Sequence, residues 1–480
     1  KPSFGLALVP VVLTLLVLGI QLFYFGDFTP HIPLAIGLAI TGLVGTYLGH
    51  DWGNMENGVF RVINVSLPSV SVLIVVGMII GVWIASGTVP SLIYYGLKVL
   101  SPEIFLAASM IMCAVVSVSL GTSWGTVGTI GLALMGIGAG FDVPMYWTAG
   151  AVVSGAFFGD KISPLSDTTN LSPAVLIALG IYIWAGYSLI DANGTSFERI
   201  DSITTALDDN FAISPWLLAP ALIVIVLAIM KKPPIPSLFA GVVAGAITAM
   251  LVQGASLHDI FGYANGGYSI DTGIAEIDSL LNRGGIQSMM WTISLILIAL
   301  GGFGGALERT GCLQAIIAKI LSKVHSFAGV QTAAIATSTA TNLVAGDPYL
   351  SIALPGRMYS PVYRGMGYST LNLSRAIEEG GTLMSPLIPW NAGGAFVISA
   401  LGLGVIDGNF ENLLYIPLAF ACWLTPVIGI TYAWTGFFSP RASDAEIQDW
   451  KDNDRSVADL SEYGYEDPFK GTNRSPAPAE

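Results

Sequence analysis

Long apolar runs recur along this chain, at residues 6–25, 32–49, 70–86, 217–230, 235–252, 291–300 and 413–433. Most are as long, or nearly as long, as the roughly 20 helical residues that cross a hydrocarbon layer. Charged loops interrupt them, whereas the strands of a membrane barrel would alternate apolar and polar residues, so the chain is expected to be an all-α polytopic membrane protein. Composition agrees: 53% of residues are hydrophobic and 11% charged, where a soluble domain carries about 25% charged residues. A water-soluble enzyme is excluded on that ground. The first run is longer than the roughly 7–15 apolar residues of a signal-peptide core and lacks a small-x-small cleavage site, so it is read as the first spanning helix. Cys113, Cys312 and Cys422 stand singly in apolar stretches, a pattern that supports neither a disulfide framework nor a zinc site. The net charge of −13 argues against a nucleic-acid partner. Ten acids and five bases fall within 441–480, and the tail from 438 onward is expected to be acidic, solvated and mobile.

One pattern occurs twice. Leu8-Val9-Pro10-Val11-Val12 is echoed by Leu218-Ala219-Pro220-Ala221-Leu222, and His31-Ile32-Pro33 by Pro234-Ile235-Pro236. Gly87 and Gly311 each open a short amphipathic stretch, Gly121-Thr122 answers to Gly346-Asp347, and Ser163-Pro164-Leu165 to Ser385-Pro386-Leu387. The offsets cluster near 222–225 in the later part of each copy. Two such halves, 5–190 and 214–437, are the sequence sign of a secondary transporter built from repeats around one central site. Lys231 and Lys232 place the first loop of the second half in the cytoplasm; the equivalent loop of the first half holds Asp27 and no base, and so faces outward. The repeats are therefore expected to be inverted, with the acidic connector 191–213 outside, both termini inside, and roughly 10–12 embedded helical elements including broken helices and re-entrant hairpins. From Ser163 to the end of the first half there are far fewer residues than from Ser385 to the end of the second. An interruption of the chain at Val175–Leu176 is expected to account for the shortfall.

Each half contains two stretches in which helix breakers and polar residues enter apolar sequence, at 121–129 and 159–171 in the first and at 341–350 and 378–391 in the second. Non-helical backbone at membrane depth persists only where protein buries it or it lines a watery cavity, and paired interruptions of this kind point to a transporter's binding site. An intramembrane carboxylate is a functional candidate by default; these stretches supply Asp160, Asp167, Asp347, Glu378 and Glu379. Hard oxygens suited to Na+ come from Thr122, Ser123, Ser163, Asn170, Asn342, Thr382, Ser385 and Asn391, and the ion itself is assigned to Asp167, Asp160, Ser163 and Asn170. A carboxylate in a low-dielectric pocket holds its proton more tightly, so H+ and a cation can compete for it.

Each candidate has a structural alternative. Asp167 can cap a half-helix, Asp160 can pair with adjacent Lys161, and Asp347 can initiate a turn before Pro348. Glu378 and Glu379 lie within a turn of Arg375, so one of them can be held in a salt bridge there. Arg357 and Arg364 read as topology determinants; Glu308, Arg309, Lys319 and Lys323 decorate an amphipathic segment. The four histidines, His31, His50, His258 and His325, lie at span ends. Gly121-Thr122-Ser123-Trp124-Gly125 satisfies G-x-S-x-G formally, but that motif needs a strand–turn–helix setting and a partner histidine. The flanks here are membrane-helical, so no catalytic role is expected and the chain is not read as an enzyme.

The string Gly159-Asp160-Lys161-Ile162-Ser163-Pro164-Leu165-Ser166-Asp167-Thr168-Thr169-Asn170-Leu171 resembles the signature of the NhaC-type Na+/H+ antiporters. Gly121-Thr122-Ser123-Trp124-Gly125-Thr126, Tyr349-Leu350-Ser351-Ile352-Ala353-Leu354-Pro355-Gly356-Arg357-Met358 and Ser385-Pro386-Leu387-Ile388-Pro389-Trp390-Asn391 resemble further strings of that family. The likeness spans residues 5–437. It implies an antiporter of the cytoplasmic membrane, working by alternating access within the wider ion-transporter superfamily, with Na+ and H+ as substrates, no cofactor, the bilayer as partner and a possible homodimer. The family also includes malate/lactate exchangers, so a Na+-coupled organic-anion exchanger is the alternative, favoured if Arg357 or Arg375 faces the cavity. A channel or receptor-like protein is the more distant one. Asp167 is the leading exchange carboxylate, followed by Asp160 and Asp347.

Overall fold

The computed structural model describes residues 2–26, 29–161, 171–193, 197–404 and 409–466. Among these residues the regular structure is helical, apart from one isolated β-bridge between Tyr368 and Arg441. Helices α1 (Phe4–Tyr24) and α2 (His31–Tyr47) lead into α3 (Trp52–Ala85). With 34 residues α3 is about 50 Å long, enough to reach from one membrane face to the other. The amphipathic α4 (Thr88–Val99) follows, then α5 (Pro102–Leu120), the single turn α6 (Ser123–Thr126), a π-type turn at Val127–Gly131, α7 (Leu132–Gly140) and α8 (Met145–Gly159). Beyond them run α9 (Leu171–Asn193), α10 (Phe197–Asn210) and α11 (Pro215–Ile229), the last bent by 89° from α10. The second half continues with α12 (Pro234–Val252), α13 (Leu257–Gly266), α14 (Ala275–Leu281) and α15 (Gly285–Arg309). Its later elements are α16 (Cys312–Leu321), α17 (Phe327–Ala345), α18 (Pro348–Gly365), α19 (Thr370–Gly380), α20 (Ala392–Leu401), α21 (Glu411–Thr435) and α22 (Asp444–Asp452).

Six described helices, α1, α3, α5, α12, α15 and α21, are long and apolar enough to cross a membrane, and α10 with α11 makes a seventh if the bent pair is one span. The chain is an all-α polytopic membrane protein. Shorter helices fill its interior: α7 is buried along its whole length, and α8 from Thr148 to its end.

The interruptions have the same construction in both halves. Gly121 ends α5 at φ 64° and Gly346 ends α17 at φ 69°, left-handed conformations that a Cβ would strain. The next residue caps the helix beyond: Thr122 Oγ1 accepts from Gly125 N at 3.3 Å, while Asp347 accepts from Tyr349 N and Leu350 N at 2.9 and 3.0 Å. One turn on, Thr126 Oγ1 donates to Thr122 O at 3.0 Å and Ser351 Oγ to Asp347 O at 2.6 Å. Helix contacts repeat as well. Ser117 Oγ donates across to Ala156 O at 2.6 Å, and Ser338 Oγ to Ile377 O at 3.2 Å. A Cβ on Gly159 would lie 2.3 Å from Ala114 O, and one on Gly380 would lie 2.3 Å from Ile335 O. Two apolar cores result, one centred on α3, α5, α7, α8 and α20, the other on α15, α17, α18 and α19.

Helix α9 runs through Val175 and Leu176, and among the described residues no helix stands between α8 and α9 in the place that α20 takes between α19 and α21. One expectation is corrected. The tail as far as Glu466 is docked rather than mobile. Trp450 on α22 is 3% exposed, and Glu446 accepts from both Thr370 N and Thr370 Oγ1 at 2.8 Å, capping α19. Arg441 lies 3.9 Å over the Tyr368 ring, Ala458 N donates to Pro361 O at 2.9 Å, and Tyr463 stacks on His325 at 4.0 Å. The tail's acidity drew attention from its apolar anchor and from the capping use of its carboxylate. The connector is also partly folded: Ile203 and Leu207 are buried, and Arg199 bridges Asp142 and Glu276 at 3.3 and 3.2 Å.

Candidate functional site

A cavity of about 480 Å³ lies where the interruptions of both halves meet. Helix α3 contributes Pro68, Ser69 and Val72, near the middle of its 34 residues. Pro68 has no N–H, which deprives the Asn64 carbonyl of its helical partner. Thr122 and Ser123 enter from the start of α6, and Asp160 and Lys161 from the end of α8. The second half brings Tyr349 on α18, Glu378 on α19, and Thr382 and Ser385 just beyond it.

Three charges join the halves inside this cavity. Lys161 Nζ stands 3.6 Å from Asp160 Oδ2 and 3.1 Å from Glu378 Oε2. A hydroxyl supports each carboxylate: Ser123 Oγ donates to Asp160 Oδ2 at 3.2 Å, and Thr382 Oγ1 to Glu378 Oε2 at 2.6 Å. Two carboxylates facing one ammonium leave a single net negative charge. In a confined, partly dehydrated setting such an excess is costly unless a proton or a cation offsets it. The triad can therefore accept one monovalent cation, with hydroxyl oxygens at hand to replace part of its hydration shell.

A second polar cluster lies behind the cavity. Asn342 Nδ2 donates to Gly380 O at 3.0 Å and also to Gly381 O, while its Oδ1 accepts from Ser351 Oγ at 3.0 Å and from Asn391 Nδ2 at 2.9 Å. Ser385 Oγ donates to Asn391 Oδ1 at 2.5 Å. Ser385 thus touches both the cavity and this cluster, which fastens α17, α18 and α20 to the turn after α19.

Of the residues singled out from the sequence, the structure brings Asp160, Glu378, Thr122, Ser123, Thr382 and Ser385 to one cavity. Asn342 and Asn391 belong to the supporting cluster. Asp347 is 1% exposed and caps α18 with both its oxygens, which is the turn-forming alternative. Glu379 is buried beside Gly429 on α21, away from the cavity. Ser163, Asp167 and Asn170 lie outside the described residues, and with them most of the Na+ assignment made from sequence. Asp160 pairs with Lys161, its structural alternative, and Glu378 joins that pair rather than Arg375. Arg375 Nη2 donates instead to Asn372 Oδ1 and Phe438 O at 2.7 and 2.8 Å. Arg357 pairs with Glu308 at 2.8 Å and does not line this cavity. Ser123 has a carboxylate partner in Asp160, while His31 is engaged with Trp291 O and Ser294 Oγ.

Sequence reasoning passed over Lys161 as a member of the site and missed α3 and Tyr349, whose hydroxyl accepts from Ser69 Oγ at 3.3 Å. The overlooked signal was Pro68-Ser69, a breaker and a hydroxyl inside a long apolar stretch.

The chain matches the model of the Na+/H+ antiporter family over residues 4–180 and 170–437. It is 38% identical to the Na+/H+ antiporter NhaC of Alkalihalophilus pseudofirmus, covering 88% of this chain and 95% of that protein. Identity is 35% both to the Na+/H+ antiporter NhaC of Bacillus subtilis (84% and 91% covered) and to the malate-2H+/Na+-lactate antiporter of the same organism (88% and 94%).

Proposed function

The chain belongs to the Na+/H+ antiporter family, and from that premise we propose that it exchanges Na+ for H+ across the cytoplasmic membrane by alternating access. The observation that carries the reading is the Asp160–Lys161–Glu378 group, which among the described residues carries one negative charge in excess and lies in a cavity between the two halves. Either H+ or Na+ neutralises it, and a carrier that reorients only when neutralised couples the two flows. Lys161 acts as an internal competitor that keeps the carboxylates apart and occupied until the ion arrives. The matched caps, hydroxyl bonds and glycine contacts of the two halves support treating 5–190 and 214–437 as inverted repeats that rock against each other around this point. In this reading the loop bearing Lys231 and Lys232, and the end of α3 that carries Arg61, face the cytoplasm.

The organic-anion alternative fits the geometry less well. Arg357 and Arg375 are turned to other partners, and the cationic group in the cavity already faces two carboxylates, so an anionic substrate would meet a net negative site. A pulse of Na+ to vesicles containing the pure protein is expected to move protons, read from a pH dye inside the vesicles. A response to malate with none to Na+ would overturn the proposal.

A further inference from the structure

A larger cavity, of about 1130 Å³, opens near the start of α3, where Asn57, Gly58 and Arg61 line it, about 12 Å along the helix from the ion group's level at Ser69. Three guanidinium groups, Arg61, Arg309 and Arg357, and one carboxylate, Glu308, line its walls, and Ser456 of the docked tail closes one side. Arg357 is paired with Glu308 at 2.8 Å, and Arg309 Nε and Nη2 donate to Asn54 O and Oδ1 at 3.2 and 2.5 Å. Among the described residues no hydrogen bond or ion pair engages Arg61. Among the described residues the cavity therefore holds two positive charges in excess, one of them on the exposed Arg61 guanidinium, which has no acceptor from the protein. Trp52 on the same end of α3 is 62% exposed, the kind of residue that gathers at a membrane–water boundary.

We propose that this cavity binds a phosphate-bearing anion, held between Arg61 and Arg357. Guanidinium forks match phosphate oxygens in pairs and stay charged at any physiological pH, and basic pockets between membrane helices on the cytoplasmic side suit anionic headgroups. The phosphate can belong to a membrane lipid or to a soluble compound, because the chemistry that recognises it is the same. The site is separate from the ion group, and binding there does not depend on the exchange reading.

The test uses the full chain purified in uncharged detergent and titrated with phosphatidylglycerol, phosphatidylcholine or inorganic phosphate, with thermal stability and native mass spectrometry as readouts. Saturable binding of phosphatidylglycerol over phosphatidylcholine is expected if the bilayer is the source, and saturable binding of inorganic phosphate if it is soluble. Arg61→Gln should weaken whichever is bound by about tenfold or more, in line with loss of a charged hydrogen bond, and Arg61→Lys should restore part of it. Because nothing in the fold leans on the Arg61 side chain, both variants should unfold at the wild-type temperature without ligand. Equal responses to the anionic and zwitterionic lipid with none to phosphate, or undiminished binding by Arg61→Gln, would overturn the proposal.

Discussion

Lys161 stands between acids that are more than two hundred residues apart in sequence. Removing either acid should leave a neutral pair that has no need of an ion. Asp160→Asn and Glu378→Gln are therefore expected to lower Na+-driven proton movement in vesicles by about tenfold or more while each still purifies as a folded protein; wild-type rates from either variant would remove that residue from the mechanism. Lys161→Gln should do the opposite at the binding step. Without its internal competitor Na+ is held more tightly, so both KM for Na+ and turnover should fall, and a raised KM would contradict the competitor role. The sequence reading found Asp160 and Glu378 because carboxylates in apolar surroundings stand out. It did not find their connection, which depends on how α8 and α19 approach each other, and no local pattern records that approach. Asp347 shows the structural alternative that any such acid carries. Its surroundings are apolar, yet both its oxygens are engaged by the backbone of the helix it begins.

At the scale of helices, close packing of α5 on α8 and of α17 on α19 depends on glycines that admit a neighbouring carbonyl. Gly159→Ala and Gly380→Ala would each place a Cβ 2.3 Å from a backbone oxygen, and each is expected to lose about 1–3 kcal/mol of stability as the helices move apart. Gly180, inside α9, has no atom within 4 Å of the position its Cβ would take. Gly180→Ala should leave stability unchanged or raise it by about 0.5–1 kcal/mol. Thermal unfolding of the three variants side by side checks the packing, and equal behaviour of all three would contradict it. The breaks at Gly121 and Gly346 were legible because glycine followed by a capping residue signals a helix end and a new start. The course of α9 was not. Counting residues between matched motifs shows that the first half is the shorter one, but not that α9 runs as one helix from Leu171 to Asn193.

Over the whole molecule, the cavity with its three charges lies where two apolar cores meet, and the docked tail covers one end of the second core's helices. Removing residues 439–480 would strip Thr370 of the Glu446 carboxylate and Ser369 N of its acceptor, Pro440 O. The truncated protein is expected to unfold at a lower temperature, and an unchanged midpoint would show that the tail contributes nothing to the fold. Composition alone described that tail as solvated, because ten acids outweigh one buried Trp450 in any average. The central claim is that Na+ and H+ compete for one group of charges. Its most direct test adds Na+ to the purified protein in weakly buffered solution and measures the protons released. Wild type should release protons as Na+ binds, while Asp160→Asn and Glu378→Gln should release few or none. Na+ binding with no proton release by the wild type would contradict the account.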